Sequence, residues 1–166
     1  MPPSKIGSTQ FDDLFFEKAA WYSVPYTWVK AVAGAESDYN PNAYREEPKI
    51  NDASRGLMQV LERTAIALGY QGSAEGLFDP ETSVDLGTKL MAENIRRFGK
   101  DFEKVYSAYN SGSTTAYQTN STVAAHVARA VQYLRAVEAG LEQASGTTPP
   151  DTLNYEETES EPSEPG

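Results

Sequence analysis

The sequence predicts a mostly α-helical domain in which several amphipathic helices surround one deeply buried helix. Three observations predict it. Apolar residues recur at helical spacing along most of the chain. One stretch, from Pro25 to Asp38, is apolar on nearly every face, as expected of a helix enclosed by others. Helix breakers and caps, among them Asn40-Pro41, Gly69, Asp79-Pro80, Gly99 and Gly112, divide the rest into segments of ordinary helix length.

Phe11, Leu14, Phe15, Ala19 and Tyr22 mark the first helix by their spacing. Pro25 opens a second, because its missing N–H costs nothing in a first turn. Trp28, Val29, Val32, Ala33 and Ala35 make this helix the buried one, and it ends around Glu36–Asp38, before Tyr39-Asn40-Pro41. The polar stretch at 42–55, with Pro48 inside it, reads as irregular and admits a small β-hairpin. Leu57, Val60, Leu61, Thr64 and Leu68 predict a third helix stopped by Gly69. Asp79 caps and Pro80 begins a fourth, which continues through Val84, Leu90, Met91 and Ile95 to Gly99. Phe102, Val105, Tyr106 and Tyr109 give a fifth, ended by Asn110-Ser111-Gly112. A Ser/Thr loop leads to a last helix carrying Val127, Val131, Leu134 and Val137. No Lys or Arg follows Arg135. The domain is therefore set at 1–143, and 144–166 is read as a flexible acidic tail that lacks the apolar surface to offset its ordering entropy. Its bland role is solubilising; a linker remnant or a partner-binding segment are the alternatives.

At 166 residues the chain supports one domain with a real core. It has no cysteine, so neither disulfides nor thiolate metal ligands are expected, and its single histidine, His126, argues against a His-based zinc site or a Ser-His-Asp triad. No cofactor and no metal are expected. Acid–base chemistry falls to carboxylates, tyrosines or lysines. The net charge of −10 argues against nucleic-acid binding. No apolar run is long enough to insert in a membrane, and Met1-Pro2-Pro3-Ser4-Lys5 lacks the apolar core of a secretory signal.

Glu36 stands out chemically. It occupies the last turn of the buried helix, where the helix dipole presents negative charge and apolar neighbours withhold solvent; both effects raise a carboxyl pKa. By itself this position supports only an ordinary carboxylate at a helix end. The surroundings add more. Glu36-Ser37-Asp38-Tyr39-Asn40-Pro41-Asn42-Ala43, then Gly56-Leu57-Met58-Gln59, then Ala108-Tyr109-Asn110-Ser111-Gly112 resemble, in order and approximate spacing, the motifs of the soluble lytic transglycosylase family (the SLT domain) and its goose-type lysozyme relatives. The resemblance covers roughly residues 22–135 and implies a lysozyme-like helical domain that cleaves peptidoglycan.

It also implies roles. Glu36 would protonate the glycosidic oxygen between N-acetylmuramic acid and N-acetylglucosamine. It would then take a proton from the muramic acid 6-hydroxyl, which attacks C1 to leave a 1,6-anhydro end. The substrate's acetamide would steady the charge at C1, a substrate-assisted exception to the two-carboxylate scheme. Ser37 would orient Glu36. Met58 would line a saccharide subsite, with a core role as its alternative. Gln59 would donate at the cleft floor, and Tyr109 and Asn110 would position Glu36 and the acetamide. The family often has a tyrosine near the start of its last helix. His126 matches that position best and would replace it as a donor, with a partly buried surface histidine as the alternative, and Tyr133 follows further along. The family commonly has Ser-x-x-Gly-Ala shortly before Gly-Leu-Met-Gln, whereas Tyr44–Arg55 is longer and more charged. Its Glu46, Glu47 and Asp52 leave open a muramidase in which a second carboxylate, about 6.5–9.5 Å from the acid, activates water. A non-catalytic wall-binding or virion structural module is the remaining alternative. The expected partner is the peptidoglycan glycan strand, met in the periplasm or at the wall exterior by a monomer. A bacteriophage origin, with virion carriage beside other phage proteins or release through a holin, is the setting the small, signal-less chain suggests.

Overall fold

The computed structural model describes residues 9–145, with side chains through residue 141. The last helix runs through 145, two residues into the expected tail of 144–166, and the rest of that tail lies outside the described residues. Seven helices and one small sheet follow in the order α1 (Asp12–Tyr22), α2 (Tyr26–Ser37), β1 (Tyr44–Glu47), β2 (Asp52–Arg55), β3 (Val60–Leu61), α3 (Glu62–Ala67), α4 (Pro80–Phe98), α5 (Phe102–Ser111), α6 (Ala116–Thr119) and α7 (Ser121–Ser145). The fold is mostly helical around a buried helix, as the sequence predicts.

That helix is α2. Trp28, Val29, Ala31, Val32 and Ala33 have no accessible surface, and each large apolar side chain so enclosed contributes roughly 1.5–3 kcal/mol. Lys30 is buried too, and its ammonium pairs at 2.8 Å with Asp12 of α1. α2 packs most extensively on α7. The approach is close because Gly34 faces the Tyr133 ring: a Cβ at Gly34 would overlap the ring carbons and lie 2.8 Å from the Tyr39 hydroxyl. The helix then stops abruptly. Asp38 and Tyr39 are both left-handed, with φ of 54° and 63°, a conformation that costs roughly 1–3 kcal/mol at a non-glycine residue. Hydrogen bonds hold them there. The Tyr133 hydroxyl donates to the Asp38 carboxylate, and the Tyr39 hydroxyl donates to the Lys30 carbonyl at 3.0 Å.

The hairpin at 42–55 is present and is joined by a third strand. β1 pairs antiparallel with β2, Tyr44 opposite Arg55 and Glu47 opposite Asp52, and β2 pairs with β3 through Ser54 and Leu61. The third helix is shorter than its apolar spacing predicts. Residues 56–59 form a turn instead, with left-handed Gly56 (φ 83°) and Gln59 (φ 52°), and Val60–Leu61 extend the sheet. Three other elements claim the turn's backbone. Ser37 Oγ of α2 donates to the Leu57 carbonyl at 2.8 Å, the Met58 N–H donates to Ser83 Oγ of α4 at 3.0 Å, and the Tyr109 hydroxyl of α5 donates to the Met58 carbonyl at 2.6 Å. Tertiary hydrogen bonds thus override helical propensity here. Gly56 is required twice over, because a Cβ would sit 2.5 Å from the Leu77 carbonyl oxygen. α3 begins only at Glu62, where the Asp52 carboxylate accepts from the N–H groups of Glu62 and Arg63 and so caps a helix ten residues on. Two predicted caps hold: Asp79 accepts from the Thr82 N–H to cap α4, and Gly112 ends α5 in the left-handed region. The expected Ser/Thr loop instead contains the single-turn helix α6 before α7 begins at Ser121.

Gly34→Ala tests the α2–α7 contact. The added methyl has no room against Tyr133, so the variant should lose about 1–3 kcal/mol of stability, read as a shift in the denaturation midpoint with urea.

Candidate active site

An open cleft of about 770 Å³ lies between the sheet, the end of α2, α5 and the start of α7. Glu36 is in its wall, delivered by the last turn of α2. Burial pushes its carboxyl from the ordinary 4.5 up to about 7, against three opposing influences: the Tyr106 hydroxyl, which donates to Oε2 at 2.5 Å, and the positive charges of Arg45 and Arg129. The two states of the carboxyl are therefore balanced near neutrality.

Tyr106 belongs to a row of aromatic rings along one face of α5. Phe102 and Tyr106 stack at 6.3 Å between ring centroids, Tyr106 and Tyr109 at 6.0 Å, and Phe102 meets the buried Trp28 edge-on at 5.3 Å. The rings fix Tyr106 from both sides, and burial beside Glu36 pushes its phenol well up, so it stays a donor. Arg129 works from α7. Its Nε donates to the Ala35 carbonyl at 3.2 Å, its guanidinium lies 5.2 Å over the Tyr133 ring, and Nη2 approaches the Tyr133 hydroxyl at 3.5 Å. It occupies a carbonyl that the end of α2 leaves unpaired and sets a cation near Glu36.

The residues singled out from sequence fall into two groups. Gln59, Tyr109, Asn110 and His126 line the cleft with Glu36. Gln59 Nε2 donates to the carbonyls of Ala43 and Gly56, both at 3.1 Å, fastening the turn to the sheet. Asn110 Nδ2 lies 3.1 Å from His126 Nδ1. An amide NH2 only donates, so Nδ1 accepts and the neutral ring carries its proton on Nε2. Burial, Arg45 and Arg129 all lower the His126 pKa and favour that neutral form, Glu47 opposing them. Ser37, Met58 and Tyr133 serve elsewhere. Ser37 bonds the carbonyls of Ala33 and Leu57, bracing the helix end without touching Glu36. Met58 is fully buried with its side chain against Gly87, so it packs the core and lines no part of the cleft. Tyr133 is likewise fully buried, its hydroxyl engaged by Asp38. Tyr109 gives its hydroxyl to Met58; the tyrosine bonded to Glu36 is Tyr106, which the apolar spacing of α5 absorbs as a core position. The i, i+3 spacing of Tyr106 and Tyr109 puts both on one helix face, and Arg129 stands in the same relation to His126. Those spacings were the available signals.

Of the three carboxylates on the charged segment, Glu47 alone lines the cleft. Asp52 is occupied. Burial raises its pKa, but N–H groups of Arg63, Ala53 and Glu62 and the charge of Arg55 outweigh this and hold it low. Glu46, one residue from Glu47 on β1, points to the other face of the sheet by strand alternation.

A model of the family described as Transglycosylase SLT domain matches residues 13–131. The chain belongs to this family. Among SLT-domain relatives it is similar to the soluble lytic murein transglycosylase of Escherichia coli (strain K12), 29% identical over 109 residues, which cover 61% of this chain and 16% of the relative. It is 31% identical over 106 residues to the membrane-bound lytic murein transglycosylase C of Edwardsiella ictaluri, covering 55% of this chain and 28% of that protein. The crystal structure of the 70 kDa soluble lytic transglycosylase from Escherichia coli matches with a TM-score of 0.69 and 22% identity, over 80% of this chain and 25% of that one. The helical fold is thus the SLT fold, and the chain spans a small part of these larger relatives. Among the described residues no helix is long and apolar enough to cross a membrane.

Two measurements test the electrostatics. Tyr106→Phe removes a hydrogen bond that favours the charged carboxylate, so the Glu36 pKa should rise beyond about 7 in an NMR titration of the side-chain carboxyl. Glu36 also bears on stability. Its folded pKa lies above its unfolded one, so the folded state carries a penalty that is absent below about pH 4.5 and complete above about 7. Glu36→Gln should therefore gain about 2–3 kcal/mol over wild type at alkaline pH, a gain that shrinks through neutrality and vanishes in acid, read by denaturant unfolding across pH.

Proposed function

We propose that this chain is a peptidoglycan lytic transglycosylase that cleaves the β-1,4 bond between N-acetylmuramic acid and N-acetylglucosamine, with Glu36 as both acid and base. One observation carries the reading: a glutamic acid with its pKa raised to about 7 stands in the wall of an open cleft, held by a tyrosine hydroxyl. The names of the relatives agree with it.

In the first step Glu36, protonated, donates to the departing glycosidic oxygen as the C1–O bond breaks. The Tyr106 hydrogen bond steadies the carboxylate that results, and the charge of Arg129 acts in the same sense. The muramic acid acetamide lends its carbonyl oxygen to C1. The carboxylate then takes the proton of the 6-hydroxyl as that oxygen bonds to C1 and the acetamide oxygen departs from it, and the 1,6-anhydro end leaves with Glu36 protonated again. A group balanced near neutral pH suits both steps. Asn110 and His126 form a polar pair on the cleft wall suited to hold the acetamide, with His126 Nε2–H as the donor in place of the family's usual tyrosine. Gln59 shapes the floor through its grip on Ala43 and Gly56. The substrate places the site of action at the bacterial wall.

Glu47 keeps a hydrolytic alternative specific, because it is a second cleft-lining carboxylate. Its partner Arg45 lies 3.4 Å away on the same strand. Product mass decides between the two. Digestion of purified walls should release muropeptides lighter by one water; reducing muramic acid ends throughout would overturn the lyase reading. Glu36→Gln should lower the rate by about 10²–10⁴-fold. The kcat/KM of wild type should fall as pH rises through about 7, because the acid form is lost.

A further inference from the structure

The chain as a whole is acidic, with 24 Asp and Glu against 14 Lys and Arg. Its cleft has the opposite balance. The charged side chains lining it are Glu36, Glu47, Arg45, Arg97 and Arg129, with His126 beside them. Three arginines face two carboxylates there, so cations are in excess where a strand would lie. Neutral sugar rings give no reason for that excess.

Arg129 is committed to the end of α2 and to Tyr133. The other two arginines reach the cleft from opposite elements. Arg45 stands on β1, on the same side of the strand as Glu47, with 61% of its side chain accessible. It lines the cleft, and its charge acts on both Glu36 and His126. Arg97 comes from the last turn of α4, is exposed, and rests 5.0 Å over the Phe98 ring. An exposed guanidinium is a bidentate receptor for carboxylate. Low-dielectric walls around it strengthen the attraction beyond its value on an open surface.

We propose that Arg45 and Arg97 form a carboxylate-reading site within the cleft, and that its ligands are the free carboxylates of the short peptides attached to the muramic acid lactyl groups. The inference rests on the cleft being the glycan-cleaving site. The longer, charged β1–β2 segment then acts as a selectivity element: it makes the enzyme prefer strands with acidic peptides to strands whose peptides are amidated. Glu47 engages Arg45 at Nε, 3.4 Å away.

The test separates binding from turnover. Glu36→Gln protein, full chain, is titrated by calorimetry with soluble glycan strands carrying free peptide carboxylates and with the same strands after carbodiimide amidation. Free-carboxylate strands should bind about tenfold more tightly at low salt, and the gap should close as salt rises. Adding Arg45→Gln or Arg97→Gln should narrow the gap while affinity for amidated strands stays unchanged, and Arg45→Lys should restore part of it. Equal affinity for the two strands, or an equal loss on both in the arginine variants, overturns the proposal. Failure of the lyase reading looks different: wild type would cleave neither strand while the binding preference was still measured.

Discussion

The Tyr133 hydroxyl donates to the Asp38 carboxylate where α2 turns left-handed, and the direction of Glu36 follows from that hydrogen bond. Two residues earlier in the chain, Glu36 has no freedom to swing, because α2 is pinned by Gly34 on the Tyr133 ring and by Arg129 on the Ala35 carbonyl. A carboxyl group is costly to bury alone. Here Tyr106 of α5 and Arg129 of α7 offset part of that cost, and the balance of burial against them leaves the carboxyl half protonated at neutrality. The backbone strain at Asp38 and Tyr39 persists because the surrounding structure over-determines it.

Much of this was legible in the sequence. The nearly uniform apolar character of Pro25–Asp38 announced the buried helix, Asp79-Pro80 and Gly112 announced their caps, and the three motifs brought Glu36, Gln59, Tyr109 and Asn110 to one cleft. The failures share a cause. Residues 57–68 have helical spacing, yet Ser37, Ser83 and Tyr109 take up the backbone of 57–58 from distant elements, and local periodicity contains no trace of such partners. Tyr106 and Tyr133 are both buried tyrosines. One spends its hydroxyl on Glu36 and the other on Asp38, a difference set by which helix each faces. Met58 sits inside the motif yet packs the core, since adjacent residues of a tight turn point to opposite sides.

The sheet and the helices contribute differently to the cleft. α2, α5 and α7 carry groups whose hydrogen bonds are satisfied within the protein and whose geometry is fixed by packing. The sheet carries Arg45 and Glu47 on a short, exposed hairpin held mainly by ladder hydrogen bonds and by the Asp52 anchor to α3. On the proposed reading the chemistry rests on the rigid part, while Arg45, one of the two proposed selectivity residues, sits on a part whose sequence can change without disturbing the core.

The turn at residues 56–59 bonds to α2, α4, α5 and the residue before β1 at once. Most loops fray separately from the body that carries them. This one has no independent way to open, because releasing it breaks contacts in four places. Its amides should exchange with solvent only as slowly as the whole domain unfolds, so the floor beneath the cleft behaves kinetically as core even though it is, by connectivity, a loop.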